Sequence, residues 1–247
     1  MKPVILITGG SRGIGAQVAK LAASDFMVCI SYVNDVDAAN DVVSVIENDG
    51  GSAIAVRADV GSEAEVLGLF NECDQRIGSV DVLINNAGIV SPIAKLEQYT
   101  EERLRNICQV NIVGMFLCAR EAAKRMSTNT GGRGGAIVNV SSAASRLGSP
   151  NEFIDYAATK GAVDSMTLGL SKELAPAGIR VNAVRPGLIE TDIHAAAGDS
   201  NRVDRLKEFV PMKRGGTAEE VAKTILWLVS DDASYCNGSL IDVAGGR

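Results

Sequence analysis

A stretch of strand-forming residues, 4–8, ends in a glycine-rich turn that opens a helix, and no other feature limits the fold as strongly. The turn carries Gly9, Gly13 and Gly15. Glycines allow a tight turn and let the backbone approach a pyrophosphate closely, and the exposed amides at a helix N-terminus favour its negative charge. The pattern therefore predicts a dinucleotide bound along residues 9–15.

Short strand-forming runs alternate with helical stretches along the chain. The predicted strands are residues 4–8, 28–31, 54–57, 82–85, 137–140, 180–184 and 239–243. Apolar residues recur near helical spacing in segments 35–48, 62–77 and 219–229, and Ser62 and Thr217 are the predicted N-caps. The polar, glycine-rich residues 127–135 predict a surface loop. This alternation predicts an α/β fold: a Rossmann-type doubly wound parallel sheet of about seven strands with helices on both faces.

The composition suits a buried sheet and argues against two classes of partner. Hydrophobic residues make up 46% of the chain and aromatic residues 4%, and we expect one domain over residues 1–247. The net charge is -6 without a Lys/Arg cluster, so we expect no nucleic-acid partner. No apolar run approaches the roughly 20 residues of a membrane helix, so we expect a soluble, cytoplasmic protein without a membrane partner.

The cysteines indicate neither a disulfide framework nor a metal site. Their number is odd and their positions lack paired metal-ligand spacing. They are Cys29, Cys73, Cys108, Cys118 and Cys236. We expect them to be reduced residues of the core, and we expect no bound metal.

The same glycine turn also fits a serine hydrolase, because residues 9–13 match the G-x-S-x-G pattern with Ser11 as nucleophile. The base would have to be His194, which is the only histidine and follows the serine as that class requires. However, this turn follows the first strand, so no earlier strand-to-helix loop can supply the second oxyanion-hole amide. We therefore treat the hydrolase as a remote alternative and His194 as a loop residue.

Tyr156 and Lys160 lie four residues apart at the start of a helical stretch, so both share one helix face. A lysine cation near a tyrosine favours the phenolate, and a cationic nicotinamide ring is a natural second contributor. We expect this to bring the tyrosine pKa down from about 10 towards neutrality, so that it can exchange a proton with an alcohol or ketone oxygen. Ser141 and Ser142 follow the strand at 137–140, where α/β sheets gather ligands.

A set of motifs in one order along the chain completes the pattern. The motifs are Thr8-Gly9-x-x-x-Gly13-x-Gly15, Asp59-Val60, Asn85-Asn86-Ala87-Gly88, Asn111, Ser142, Tyr156-x-x-x-Lys160 and Pro186-Gly187. Together they resemble the short-chain dehydrogenase/reductase family over nearly the whole chain. The segment 141–160 looks especially similar to bacterial members described as sugar-dehydrogenase-like or oxoacyl-reductase-like.

The resemblance implies a catalytic tetrad. Tyr156 would be the acid/base, Ser142 would orient the substrate, Lys160 would hold the ribose and lower the tyrosine pKa, and Asn111 would support a proton-relay water. The interval from Ser142 to Tyr156 is one residue longer than is common in the family. It leaves Ser141, Ser142 and Ser145 as candidates to face the substrate, and Ser142 fits best by its distance from the strand.

The glycine turn and the resemblance together predict the cofactor-binding residues. These are Gly9, Ser11, Arg12, Gly13, Ile14, Gly15, Tyr32, Asn34, Asp59, Val60, Asn86, Ala87, Gly88, Tyr156, Lys160, Pro186, Gly187 and Ile189. An acid at the tip of the second strand normally selects NAD. No acid ends that strand, and Arg12 offers a positive charge, so we expect NADP. Asp35 and Asp37 keep NAD open, although they also suit the polar start of a helix.

The resemblance also places a substrate lid at residues 191–216, whose composition selects no particular substrate. We expect an NAD(P)-dependent oxidoreductase that interconverts a small carbonyl compound and a secondary alcohol. The alternative from another class is a catalytically silent dinucleotide sensor. The resemblance implies a dimer or a tetramer, and residues 235–247 look like the segment that packs across a subunit interface. We therefore expect a homo-oligomer, and among these a tetramer.

Overall fold

The computed structural model describes residues 2–191, 197–199 and 201–247. Its strands follow the predicted positions closely and add one short pair. They are β1 (Val4–Ile7), β2 (Met27–Tyr32), β3 (Ser52–Arg57), β4 (Val82–Asn85), β5 (Gly135–Val140), β6 (Ile179–Pro186), β7 (Ile189–Glu190), β8 (Gly216–Thr217) and β9 (Leu240–Val243). All seven predicted strands are present, and no end is shifted by more than two residues.

The helices fill the intervals between the strands. They are α1 (Gly13–Ala22), α2 (Val36–Asn48), α3 (Glu63–Arg76), α4 (Glu101–Cys108), α5 (Met115–Met126), α6 (Ala144–Leu147), α7 (Ile154–Leu174), α8 (Arg202–Leu206) and α9 (Ala218–Val229). A π-helical segment, Gln109–Gly114, joins α4 to α5. Short 3-10 turns occupy Leu96–Gln98, Thr128–Thr130, Ala175–Ala177, Lys207–Phe209 and Asp231–Ala233. Among the described residues, no helix is both long enough and apolar enough to cross a membrane.

The main sheet has seven parallel strands in the order β3-β2-β1-β4-β5-β6-β9. In register, Ile5 of β1 pairs with Val28 of β2 on one side and with Val82 of β4 on the other. The chain therefore builds outwards in both directions from β1 and β4. This is the predicted doubly wound α/β sheet, and its switch point lies between these two strands.

Alternation along the strands divides the core into two layers. Ile5 and Ile7 of β1 face a cluster that contains residues of α1, α2 and α9. Val4 and Leu6, on the opposite face, join a cluster built with α3 and α5. Because both faces are covered, the central strands are mainly apolar, as expected for a buried parallel sheet. The predicted helices on both faces are confirmed.

Local signals at the helix starts also match the expectations. Ser62 accepts a hydrogen bond from the amide of Glu65 at 3.4 Å. Thr217 Oγ1 accepts a hydrogen bond from the Glu220 amide at 3.2 Å. The Glu220 carboxylate in turn accepts one from the Thr217 amide, which completes a capping box. The predicted loop at 127–135 differs in detail, because it contains a 3-10 turn at residues 128–130 and its last residue already belongs to β5.

The cysteines are all free, but only some of them are core residues. Cys29, Cys73 and Cys118 are buried, Cys236 is half-buried and Cys108 is exposed. The prediction of a core position is therefore wrong for Cys108. This residue ends α4 on the side turned away from Ile107, the buried residue of that helix.

Buried polar side chains tie two helices to the middle of the sheet. The Asn85 amide donates to the Met115 carbonyl at 2.8 Å and to Asn139 Oδ1 at 3.3 Å, and Asn139 donates to Thr167 Oγ1 at 2.9 Å. Asn85 and Asn139 are register partners on β4 and β5. Since an unpaired buried amide is costly, this chain of bonds orients α5 and α7 against these strands.

The π-helical segment packs against the loop after β3 so closely that only glycine fits at Gly114. A Cβ there would lie 2.8 Å from the Val60 carbonyl oxygen. We expect Gly114→Ala to lower the free energy of unfolding by about 1–3 kcal/mol, because backbone has to move. Gly68→Ala, on the exposed face of α3 where nothing lies within 4 Å, should be neutral or raise it by up to about 1 kcal/mol. Urea unfolding of both variants checks this, and equal effects would contradict it.

Candidate functional site

The carboxyl ends of the central strands open onto one cavity of about 570 Å³. It lies at the switch point between β1 and β4, where open α/β sheets bind their ligands. Every predicted cofactor-binding residue except Gly15 lines it, from the glycine turn through Asn86 to Pro186 and Ile189. Ser142, Tyr156 and Lys160 line it as well. The fold thus brings together residues that are up to 180 positions apart in the sequence.

The glycine turn connects β1 to α1 through two left-handed residues. Gly9 has φ of +64° and Gly13 has φ of +55°, a region that side chains disfavour. Gly15 has a different role from the predicted cofactor contact. It is buried behind the turn, where a Cβ would lie 2.5 Å from the Gly9 carbonyl oxygen and 2.7 Å from Asn86 Nδ2. It therefore lets α1 start directly beneath the turn.

The loops after β1 and β4 are tied to one another by Thr8 and Asn86. The Thr8 hydroxyl oxygen accepts from the amides of Asn86 and Ala87, each at 2.9 Å. The Asn86 side-chain amide donates to the carbonyls of Thr8 at 2.8 Å and Gly9 at 3.0 Å. These four bonds hold the glycine turn against the second loop and fix the two sides of the crevice relative to one another.

The tip of β2 carries the groups expected to distinguish the two dinucleotides. Tyr32 and Asn34 line the cavity, and so does Asp35. The Asp35 carboxylate is also the N-cap of α2, where it accepts from the Ala38 amide at 3.0 Å. The interpretation of Asp35 as a polar helix start is confirmed. Arg57 at the end of β3 also reaches this tip, donating from Nε to the Val33 carbonyl at 3.1 Å.

The structure resolves which serine accompanies Tyr156. The Ser142 side chain is close enough to Tyr156 to lower the pKa of its phenol, and both residues line the cavity. Ser141 turns away and donates to Asp164 Oδ1 at 2.6 Å, while Ser145 donates to the Ser142 carbonyl at 2.8 Å. Lys160 Nζ lies 5.6 Å from the centre of the Tyr156 ring and donates to the Val140 carbonyl at 2.7 Å. The predicted sharing of one face by the tyrosine and the lysine is confirmed by α7.

Burial governs the pKa values of Tyr156 and Lys160 in the protein by itself. Burial raises the pKa of Tyr156 above its ordinary value of 10.0, although Ser142 opposes this rise. Burial lowers the pKa of Lys160 to about 8, while Asp164 opposes that change. The expected lowering of the Tyr156 pKa, which includes a contribution from a bound nicotinamide ring, stays a prediction. In the protein by itself, removal from water is the larger cause of both shifts.

Asn111 lies behind the cavity wall instead of on its surface. Its Oδ1 accepts from the Ile89 amide at 2.8 Å, and its Nδ2 donates to the Ile89 carbonyl at 2.9 Å and to Thr159 Oγ1 at 3.2 Å. The side chain thus joins the loop after β4 to α7. A Cβ built on Gly88 would lie 3.4 Å from Asn111 Oδ1 and 3.5 Å from Lys160 Nζ, so Asn111 is a close neighbour of the lysine.

Comparison with known proteins assigns the family. A family model described as enoyl-(acyl carrier protein) reductase matches residues 9–247. The uncharacterized oxidoreductase YgfF of Escherichia coli (strain K12) is 51% identical over 245 residues, which cover 99% of both chains. The chain belongs to the short-chain dehydrogenase/reductase family. This member of the family is therefore an oxidoreductase, and the resemblance inferred from the motifs is confirmed.

Solved structures of short-chain dehydrogenase/reductase proteins share the whole fold. A 3-ketoacyl-(acyl-carrier-protein) reductase from Brucella melitensis, complexed with NADH, superposes with a TM-score of 0.91 at 34% identity, covering 99% of this chain and 98% of that one. A short chain dehydrogenase from Burkholderia cenocepacia J2315, in complex with NADP, has a TM-score of 0.90 at 31% identity, covering 99% and 97%. Of these two closely similar structures, one thus contains NADH and the other NADP.

Sequence reasoning missed several residues of the cavity. Phe153, Arg202 and Arg247 line it. Phe153 could have been found, because it lies three positions before Tyr156, immediately before the predicted helix. No signal in the sequence identified Arg202, which reaches the cavity from the segment predicted as a lid. His194 falls outside the described residues, and the lid stays a prediction. Among the described residues, no group of three or more His, Cys, Asp or Glu side chains could hold a metal ion.

The effect of Ser142 on Tyr156 has a measurable consequence. Ser142→Ala should raise the pKa of Tyr156 further, because it removes the hydroxyl that opposes the effect of burial. Ser141→Ala is the matched control and should leave that pKa unchanged, since its hydroxyl bonds to Asp164. Absorbance titration of the phenol, with Tyr156→Phe subtracted and circular dichroism reporting the fold, measures both. Equal shifts in the two variants would contradict the assignment of Ser142.

Proposed function

We propose that this protein transfers hydride reversibly between a nicotinamide dinucleotide and a small carbonyl or secondary alcohol substrate, with Tyr156 as general acid/base. The observation that carries the proposal is that Ser142, Tyr156 and Lys160 line the same cavity as the glycine turn. A carbonyl oxygen next to both hydroxyls has two donors available, which is what stabilises a developing alkoxide.

The glycine turn fits the pyrophosphate of a dinucleotide. Arg12 is the N-cap residue of α1, but its side chain makes no bond to the first amides of the helix. Such amides suit a phosphate, and the left-handed Gly9 and Gly13 allow it to approach the backbone. The structures of relatives with NADH and NADP support this assignment. When bound, the dinucleotide supplies or accepts the hydride.

Tyr156 supplies the proton in the direction of reduction. Because burial raises the pKa of its phenol, the side chain is protonated at neutral pH, which is the state that a general acid needs. Tyr156 Oη donates its proton to the carbonyl oxygen as the carbon receives the hydride, and Ser142 Oγ holds the same oxygen by a hydrogen bond. In the direction of alcohol oxidation both transfers reverse, and the tyrosine acts as the base.

Lys160 stabilises the phenolate that proton donation leaves behind. With a pKa of about 8 it is mostly protonated at pH 7, and its Nζ lies 5.6 Å from the centre of the Tyr156 ring. One of its three hydrogens is used for the Val140 carbonyl. The other two are available to ribose hydroxyls in the cavity. A positive charge at this distance lowers the free energy of the phenolate.

We propose NADP as the preferred dinucleotide. Arg12 is exposed beside the glycine turn, and within the described part of the chain it forms no ion pair. Arg57 provides a second cation at the tip of β2, where it contacts Val33. Asp35, the acid that would favour NAD, is already engaged in capping α2. A ribose 2′-phosphate gains from the cations, and the capping bond orients the Asp35 carboxylate towards the first turn of α2.

Cofactor preference is tested by titrating the protein with NADPH and NADH while the nicotinamide fluorescence is followed. NADPH should bind at least about ten-fold more tightly, which corresponds to ~1.4 kcal/mol. Arg12→Gln should remove most of this difference by weakening NADPH alone, because only NADPH carries the phosphate that the guanidinium can contact. Arg133→Gln, a change at an arginine that lies in the loop before β5, serves as the control. Preference for NADH in the unaltered protein would contradict the proposal.

The acid/base role predicts the behaviour of Tyr156→Phe. Turnover with a carbonyl substrate found by panel screening should fall by about 10²–10⁴-fold, because the proton donor is lost, while NADPH affinity changes little. Tyr235→Phe is the matched control, since Tyr235 is fully exposed. Steady-state kinetics and fluorescence titration provide the two measurements.

Two outcomes of that experiment would contradict the proposal in different ways. Full turnover by Tyr156→Phe would show that another group moves the proton. Tight dinucleotide binding with no turnover over a broad panel of carbonyl compounds and alcohols would favour the sensor. The intact set of Ser142, Tyr156 and Lys160 around one cavity supports the enzyme over the sensor.

The substrate end of the cavity and the outer surface support two further parts of the proposal. Ile89, Leu147 and Leu188 line the same cavity as Tyr156, which suits a carbonyl compound with apolar substituents. On the surface, large apolar side chains such as Phe116 and Trp227 are 47% and 41% exposed. We propose that copies of this chain cover such surfaces as a cytoplasmic homo-oligomer, either a tetramer or a dimer.

A further inference from the structure

We propose that Arg103 of α4 is a positioning residue for Tyr156, acting through Asp155 at the start of α7. The inference rests on the proposed function, because it explains how the acid/base group is held in place. Arg103 and Asp155 are 52 positions apart, and neither belongs to the motifs that identified the site. The ion pair between them is the contact from which the proposal is built.

The pair is buried and has two-point geometry. Arg103 Nε donates to Asp155 Oδ2 at 2.7 Å, and Nη2 donates to Oδ1 at 3.3 Å. The side chain of Asp155 is 1% exposed and that of Arg103 is 13% exposed. A bidentate guanidinium fixes the direction of a carboxylate as well as its distance, and a buried pair is little screened by salt. The carboxylate is therefore held in one orientation.

This orientation matters because α7 lacks an ordinary cap. Phe153, its N-cap residue, cannot bond to the first amides through its side chain. The amide of Ile154 donates instead to the Tyr99 hydroxyl at 3.1 Å, and the amide of Tyr156 donates to Asp155 Oδ1 at 2.9 Å. Two of the orphan amides in the first turn are thus satisfied by groups that Arg103 contacts, and one of those amides belongs to Tyr156 itself.

Arg103 also joins these groups to the loop that follows β4. Its guanidinium carbon lies 4.3 Å from the centre of the Tyr99 ring, and Nη1 donates to the Pro92 carbonyl at 2.7 Å. The loop containing Pro92 begins at the cavity residues Asn86 to Gly88. A single side chain therefore connects the cofactor side of the crevice to the first turn of α7.

The contacts of Arg103 distinguish positioning from general stability. They converge on the first turn of α7, one residue before Tyr156, while the glycine turn and the tip of β2 have separate bonds. If Arg103 is lost, a buried carboxylate remains without its partner and must turn towards water. The amide of Tyr156 then loses its acceptor, so the hydroxyl shifts relative to Ser142. A misplacement of about 1 Å is enough to reduce the rate of a reaction about 10²-fold.

The test compares Arg103→Met, Arg103→Lys and Arg105→Met. Methionine retains length without charge, lysine retains the charge without the two-point geometry, and Arg105 is a matched control on the same helix, in an ion pair with Glu101 whose two side chains are 76% exposed. Hydrogen exchange of residues 153–157, kcat, KM and NADPH affinity are measured for each, together with the melting temperature.

We expect Arg103→Met to exchange these amides about ten-fold faster or more and to lose kcat by at least about ten-fold, with NADPH affinity within two-fold. Arg103→Lys should recover part of both effects, and Arg105→Met should match the unaltered protein. If Arg103→Met does not fold, the Lys variant decides, because a folded variant with unchanged exchange and kcat overturns the inference. So does a loss of kcat that merely follows the unfolded fraction.

The hydrogen-exchange readout keeps this inference separate from the proposed function. Faster exchange at residues 153–157 together with full turnover by Tyr156→Phe would support the positioning contact but contradict the acid/base role. Unchanged exchange in a folded Arg103→Met variant, together with inactive Tyr156→Phe, would contradict the positioning contact alone. Each combination of results therefore assigns the failure to one of the two proposals.

Discussion

Parallel strands that end at one edge of a sheet are the constraint on which the rest of this structure depends. Because strand order reverses between β1 and β4, the connections leave towards opposite faces and a crevice opens at this point. The glycine turn after β1 forms one side of it. The segments after β4 and β5, with Ser142 and Tyr156, form the other. Residues of different parts of the chain become neighbours because their strands end together.

Buried polar groups around this crevice give it a defined shape. Thr8 with Asn86, Asn111 with Ile89, and Lys160 with Val140 each pair a side chain with backbone groups that would otherwise be unsatisfied. An unpaired group in these positions is costly, so few alternative arrangements compete with the observed one. The same burial changes the pKa values of Tyr156 and Lys160. Geometry and protonation state thus have one physical origin.

The sequence was a good guide wherever the signal is local. The strand at residues 82–85 was predicted to the residue, because apolar runs and turn residues are recognised within a few positions. The four-residue interval between Tyr156 and Lys160 predicted a shared helix face for the same reason. The resemblance of the motifs to a known family extended the prediction to the set of cavity residues, and it identified the family. It did not identify Gly15 as a packing residue, because that role depends on Asn86, more than 70 positions away.

The sequence by itself determined the doubly wound sheet and the glycine turn, and it predicted Ser142, Tyr156 and Lys160 as site residues. Each of these follows from periodicity, spacing or motif. Only the tertiary structure decided which serine acts on the pKa of Tyr156, that Asn111 lies behind the cavity wall, and that Arg103 meets Asp155. Those contacts, and the direction in which burial moves each pKa, depend on packing between distant segments. No local pattern encodes that packing, because the free energy of such a group is set by everything that surrounds it.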